Sequence, residues 1–229
     1  MGITTMGIPR EIVLELAQIS SASTFVETGT YQGGTTKWAA GQFEVVHTIE
    51  RAQVIYDQYG PDLDSFPNIT RHLGDSKEVM PGIVETLGSQ TVVHWLDGHW
   101  SGGPTAGEGD ECPVREELNF LSKRPNDLIL IDDARFFLCA PPKPHQPADW
   151  PTMGEIVNLL PDGGKQQFIQ VVDDVIFIIP NEAKLKQALI AYSQKRTKVF
   201  WDEFAKQQKG PLNSLKKVAG SVRNRIVGE

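Results

Sequence analysis

Cysteine is scarce: Cys112 and Cys139 have neither the number nor the spacing of a disulfide framework or a zinc site. Both are expected as free thiols. No run of about 18 uncharged apolar residues occurs, and the N-terminus MGITTMGIPREIV has no basic region followed by an apolar stretch. Neither a membrane span nor a signal peptide is expected, which points to a soluble, cytoplasmic protein. Internal repeats, low-complexity blocks, an EF-hand loop and the GK[ST] of a phosphate-binding P-loop are all missing.

Positive charge is also missing from most of the chain. The net charge is −7, but from Lys184 to Glu229 eleven Lys or Arg face three Asp or Glu, so this segment carries +8 and the remainder −15. A body this acidic argues against a nucleic-acid groove, which needs clustered cations. The basic tail reads as a solvated helical face packed on an acidic domain, with an anionic membrane or RNA surface as the rarer use.

What is present suits one substantial core: 229 residues, 40% of them apolar. Short β-rich runs recur at TFVETG (24–29), VVHTIE (45–50), NITRHLG (68–74), TVVHWLD (91–97) and DLILIDDA (127–134), each with room for a helix before the next. PREIVLELAQIS, TTKWAAGQF, RAQVIYDQY, SKEVMPGIVETLG with an interrupting proline, and PVREELNFLSK fit those helices. QQFIQVVDDVIFIIP holds two strand-like runs joined by Asp173 and Asp174, too close for a crossover, so a hairpin follows. The expectation is an α/β, Rossmann-like, doubly wound and mostly parallel seven-stranded sheet, with a C-terminal antiparallel hairpin and helices on both faces. Residues 1–181 form the main domain. Residues 182–229 are its basic helical extension, with helices over 181–210 and 211–227 that dock on the sheet or on a second copy.

Ligands of open α/β sheets bind at the carboxyl ends of the strands. Those ends offer Glu27 with Gly29, Glu50, Asp75, Asp97 with His99, and Asp132 with Asp133. Each acid alone is explained by a turn or a helix cap; five ends together point to a site. FVETGTYQGGTT places Gly29, Gly33 and Gly34 between a strand and a helix, where the backbone approaches a ligand closely. Glu50, about 20 residues on, suits the two hydroxyls of a ribose. Asp75 reaches an adenine amino group or caps the helix from Ser76.

With ETGTYQG, the acid ending the second strand, GD after the third, and LDGH and LIDDA after the fourth and fifth, the sequence resembles the class I S-adenosylmethionine-dependent methyltransferases. Within them it is most like metal-dependent O-methyltransferases of the catechol and macrolide-sugar type, over roughly residues 24–180. The resemblance implies methyl transfer from S-adenosylmethionine to a hydroxyl. It implies Glu27, Thr28, Gly29, Thr30, Gly33, Thr35, Glu50, Arg51, Asp75, Ser76 and Asp97 as cofactor-binding residues. Asp97, Asp132 and Asp133 would hold Mg²⁺ or another hard divalent cation, which relieves the repulsion among three carboxylates.

His99, two residues after Asp97, is the candidate base, with a fourth metal ligand as its other role; Asp97 is counted with it as catalytic. A histidine in place of the lysine-type base of catechol enzymes favours a sugar as acceptor. Gly98, Gly102, Gly103, Gly107 and Gly109 make the following segment a pliable lid, with Trp100 as a flat surface for a ring. Asp110 and Glu111 are expected to cap the helix from Pro113, while Arg135, Phe136, His145 and Trp150 are candidate substrate contacts. A homo-oligomer is expected as one option, and nucleic acid is not a partner. Two rival readings stand beside this one: a nucleotide-binding α/β enzyme using NAD or a nucleotide sugar, and a non-catalytic calcium module. The first lacks G-x-G-x-x-G and Tyr-x-x-x-Lys.

Overall fold

The computed structural model describes residues 7–100, 102 and 105–208. Gly103 of the expected lid and the helix expected over 211–227 lie outside the described residues.

Seven strands form one sheet in the order β3-β2-β1-β4-β5-β7-β6. They are β1 (Thr24–Thr28), β2 (Val45–Glu50), β3 (Ile69–Leu73), β4 (Val92–Leu96), β5 (Leu128–Ile131), β6 (Gln167–Val172) and β7 (Val175–Pro180). The first five run parallel, and β7 is antiparallel to both β5 and β6. β1, β4, β5 and β7 are buried at every position, as Val- and Ile-rich strands covered on both faces must be. Asp173 and Asp174, with φ of 52° and 66°, make the two-residue turn that returns β6 into β7.

Helices α1 (Arg10–Ser20), α2 (Gly34–Ala40), α3 (Gln53–Tyr59), α4 (Ser76–Thr86), α5 (Val114–Leu121), α6 (Ala134–Leu138) and α7 (Met153–Leu159) fill the crossovers, and α8 (Ala183–Gln208) ends the described chain. One face of the sheet packs Val26, Ile49, Ile129 and Ile178 against Met80 and Ile83 of α4, Leu118 and Leu121 of α5, and Ile156 of α7. On the other face Phe25 meets Trp38 of α2 edge-on, with ring centroids 6.1 Å apart. Pro81 does not interrupt α4, contrary to expectation: the helix runs through it, with Met80 and Ile83 buried on either side. Burial of that apolar stripe outweighs one lost backbone hydrogen bond.

The chain divides into two compact units after Leu189. In the second, α8 carries Phe200, Trp201 and Phe204 as a cluster of rings, with Trp201 and Phe204 exposed. Among the described residues no helix is long and apolar enough to cross a membrane.

The chain order turns at β1: β2 and β3 extend the sheet to one side, β4 and β5 to the other. The crevice at such a switch point, outside the carboxyl ends of β1 and β4, is where an open α/β sheet takes its ligand.

Candidate active site

Gly29 fixes how closely the two strand ends approach. Its φ is +85°, and a Cβ built there would lie 2.1 Å from the carbonyl oxygen of Asp97, so no other residue fits between β1 and β4. Its N–H donates to the carbonyl of Ile49 at 2.9 Å, tying the turn to β2. Behind the turn, Glu27 Oε2 accepts the hydroxyls of Thr36 at 2.5 Å and Thr48 at 2.8 Å, and Thr30 and Thr48 share a hydrogen bond of 2.6 Å. Burial pushes Glu27 up to about 7, against the pull of those two threonines.

Glu50 closes β2 and is held by the backbone: Oε2 accepts the Tyr31 N–H at 2.9 Å and Oε1 the Ala52 N–H at 2.8 Å. Asp75 caps α4, accepting the Lys77 N–H at 3.0 Å, and pairs with Arg51 at 3.3 Å. Asp110 pairs with Lys77 and, at 3.6 Å, with Arg51, which draws the segment after β4 over these strand ends.

At the ends of β4 and β5 the carboxylates crowd together. Nε2 of buried His99 stands 2.8 Å from Asp133 Oδ2 and 3.7 Å from Asp97 Oδ1. Asp133 Oδ1 takes the Arg135 guanidinium at 2.7 Å, and Arg135 also pairs with Asp174 from the hairpin turn. Asp132 Oδ1 accepts the Asp133 N–H at 2.8 Å. Acidities follow from this packing. Burial pushes Asp97 well up, partly countered by His99 and reinforced by Asp132 and Asp133. Burial and the charge of Asp133 bring Asp132 to about 6. Burial pushes Asp133 upward too, but His99 and Arg135 hold it below the usual carboxylate range. Burial pulls His99 down, yet the hydrogen bond to Asp133 and the charges of Asp97 and Asp133 leave it raised.

A cavity of about 340 Å³ opens where these ends meet. Of the residues expected from sequence, Thr28, Gly29, Glu50, Arg51, Asp75, Ser76, Asp97 and His99 line it. Glu27, Thr30, Gly33 and Thr35 do not: Glu27 and Thr30 belong to the buried network behind the turn. Gly33, with φ of +72°, is the N-cap of α2, and Thr35 follows in its first turn. Tyr31, Ile49, Gly74 and Gly98 complete the wall, with Gly102, Thr105, Ala106 and Pro113 from the expected lid. Tyr31 was legible as the exposed side chain of a glycine-flanked turn; Thr105 and Ala106 carry no chemical signal.

Neither Asp132 nor Asp133 lines the cavity. A hard divalent ion needs carboxylate oxygens free to converge on one point. Both oxygens of Asp133 are engaged by His99 and Arg135, and among the described residues no group of three or more His, Cys, Asp or Glu side chains is placed to hold a metal ion. The residues as placed do not fit the expected cation shell of Asp97, Asp132 and Asp133. Side-chain cations of the chain itself answer the repulsion instead.

Two further expectations shift. Asp110 and Glu111 do not cap α5, whose N-cap is Pro113 with no side-chain hydrogen bond. Glu111 is buried and accepts from the Gln146 N–H at 2.9 Å, the Trp150 indole at 2.8 Å and the His145 ring at 3.0 Å, pinning the loop after α6 to the lid. Trp100 is buried edge-on against His145, at 5.4 Å between centroids, and offers no open face to a ligand. Cys112 and Cys139 are free thiols, as expected.

No protein-family model matches the sequence, and no curated protein matches it. Solved structures do. The O-methyltransferase TomG from Streptomyces achromogenes, involved in tomaymycin synthesis and determined with S-adenosylmethionine, is 14% identical over 77% of this chain and 82% of its own, with a TM-score of 0.51. A Staphylococcus aureus protein assigned to the caffeoyl-CoA O-methyltransferases is 13% identical over 77% and 86%, with a TM-score of 0.50. The fold is that of the O-methyltransferases. In this methyltransferase fold the cavity at the β1–β4 switch point occupies the general ligand position of open α/β sheets.

Proposed function

We propose that the protein transfers the methyl group of S-adenosylmethionine to a hydroxyl oxygen of a small molecule. One observation carries this reading: a single cavity joins a ribose-type acceptor, Glu50, and an amine acceptor, Asp75, to the Asp97–His99 pair across a glycine turn with no room for a Cβ. The nucleoside lies against Glu50, Arg51, Asp75 and Ser76. The sulfonium lies toward Thr28, Gly29 and the carboxyl group of Asp97.

In the reaction, the substrate oxygen forms a bond to the methyl carbon as the carbon–sulfur bond breaks, leaving a neutral thioether. The hydroxyl proton passes to His99. Its Nε2 faces Asp133, which fixes the ring; its Nδ1 is buried with no hydrogen-bond partner among the described residues, so it takes the proton only from a hydroxyl that packs directly against the ring. Asp97 stands beside the ring and orients it. Loss of charge at sulfur is faster away from water, which the segment holding Thr105 and Ala106 excludes. The acceptor class we favour is a sugar, on the histidine that stands in the base position.

The test is product mass spectrometry on a panel of sugars and phenols incubated with labelled S-adenosylmethionine, with Mg²⁺ or with a chelator. Labelled, methylated sugar in both conditions is the expected result. Transfer to nitrogen only, or none to any acceptor with either addition, sinks the reading; transfer abolished by chelation restores the metal-dependent version.

A further inference from the structure

Glu117 has no part in the chemistry above, yet it stands where a core leucine belongs. α5 turns Val114, Glu117, Leu118 and Leu121 inward, so a glutamate occupies an apolar stripe at helical spacing. The side chain is fully buried, and among the described residues neither carboxylate oxygen closes a hydrogen bond of good geometry. A buried carboxyl group with no well-formed hydrogen bond is destabilising, and folds that keep one commonly do so at a functional site.

Its surroundings are the cavity wall seen from behind. The hydroxyls of Ser76 and Thr28 face it, as do the charges of His99 and Asp75, and all four residues line the cavity. Cys112 is its other titratable neighbour. Thr28 Oγ1 already accepts the Asp97 N–H at 3.3 Å, so its own proton is free for the carboxylate. Ser76 stands in the first turn of α4, beside the Asp75 cap.

We propose that Glu117 is a positioning residue that sets the polarity of the cavity wall. By accepting the hydroxyl protons of Ser76 and Thr28, it turns the lone pairs of Ser76 toward the ligand, so that the wall selects a base with an exocyclic amine. The inference rests on the nucleoside-cofactor reading above and adds to it a determinant of base choice. A 6-amino purine presents a donor to Ser76 and Asp75, whereas a 6-oxo purine sets an acceptor against two acceptors. Burial raises Glu117 to about 7, so it is mostly ionised at pH 8.

The experiment is calorimetric titration at pH 8 with S-adenosylhomocysteine and with its deaminated counterpart, S-inosylhomocysteine. The wild-type protein is expected to prefer the adenosyl compound by about tenfold or more. Glu117→Gln, which removes the charge and brings an amide N–H that can donate to Ser76, is expected to cut the preference to about threefold or less. Ser76→Ala should do the same, with the double variant losing nothing further. A purely structural Glu117 would change both affinities and the melting temperature while leaving the ratio intact. An unchanged ratio in Glu117→Gln, or in Ser76→Ala should the first variant not fold, overturns the inference and leaves the cofactor reading standing. Failure of the wild-type protein to bind either thioether overturns both.

Discussion

The two ends of the cavity hold their carboxylates in different ways. At the ends of β2 and β3, Glu50 is answered by two backbone N–H groups, and Asp75 by one backbone N–H together with the Arg51 side chain. At the ends of β4 and β5, Asp97, Asp132 and Asp133 crowd one another; Asp97 and Asp133 face the side chains of His99 and Arg135, and Asp132 takes the Asp133 N–H. A backbone donor cannot leave or lose its proton, so the first arrangement is a fixed socket. Side-chain partners titrate and move, and there the acidities are displaced: Asp97 and Asp132 upward, Asp133 downward, His99 upward. A static socket suits recognition, and a displaced, coupled cluster suits proton transfer.

The sharpest way to break that contrast is His99→Ala. If the β4 end does the chemistry and the β2–β3 end the binding, turnover should fall by about 10²–10⁴-fold. The dissociation constant for S-adenosylhomocysteine should stay within about threefold, because the nucleoside contacts are at the other end. Steady-state kinetics and calorimetry on one preparation check both. A parallel loss of binding would mean that His99 supports the cofactor wall rather than the reaction, and that the two ends are not separate.

The same division explains what the sequence made legible. All seven strands lie where β-rich runs and turn residues place them, because strand burial and the Asp173–Asp174 turn are local signals. Glu50, Asp75, Asp97 and His99 line one cavity because topology sends the C-terminal end of every parallel strand to one crevice. What failed depends on partners far along the chain. Glu111 looks like a helix cap until His145 and Trp150, 34 and 39 residues on, are brought to it. Asp133, expected as a metal ligand, has its oxygens, as placed, taken by Arg135, two residues on, and by His99, 34 residues back. Glu117 did leave a trace, a charge at a core position of an amphipathic helix, which pattern reading absorbed as helix.

A second test separates charge that recognition needs from charge that the fold merely tolerates. Glu27 sits in the buried network behind the socket, raised from 4.5 to about 7. Its folded form binds protons more tightly than its unfolded form, so stability is highest below the unfolded value. It is lost as pH rises from about 4.5 to about 7, with the full penalty present above that. At about 1.4 kcal/mol per unit, the penalty is on the order of 3 kcal/mol. Glu27→Gln keeps an oxygen to accept from Thr36 and Thr48 without the charge. Urea unfolding should find the variant more stable than wild type by about 2–3 kcal/mol at pH 8 and nearly equal to it at pH 4.5. A difference independent of pH would assign the effect to packing.

The smallest expected effect lies at the seam between the two ends. Asp110 carries the segment after β4 across to Lys77 and Arg51 beside the socket, and half of its side chain is exposed to solvent. Exposed pairs contribute about 0.2–1 kcal/mol and are screened by salt. Asp110→Asn should therefore leave the melting temperature almost unchanged and speed release of S-adenosylhomocysteine by less than about fivefold at low ionic strength. In 1 M salt, where the screening length is about 3 Å, wild type and variant should release it at the same rate. A difference that survives high salt would show that Asp110 holds the segment by shape rather than by charge. The segment would then belong to the socket itself rather than lie over it as a cover.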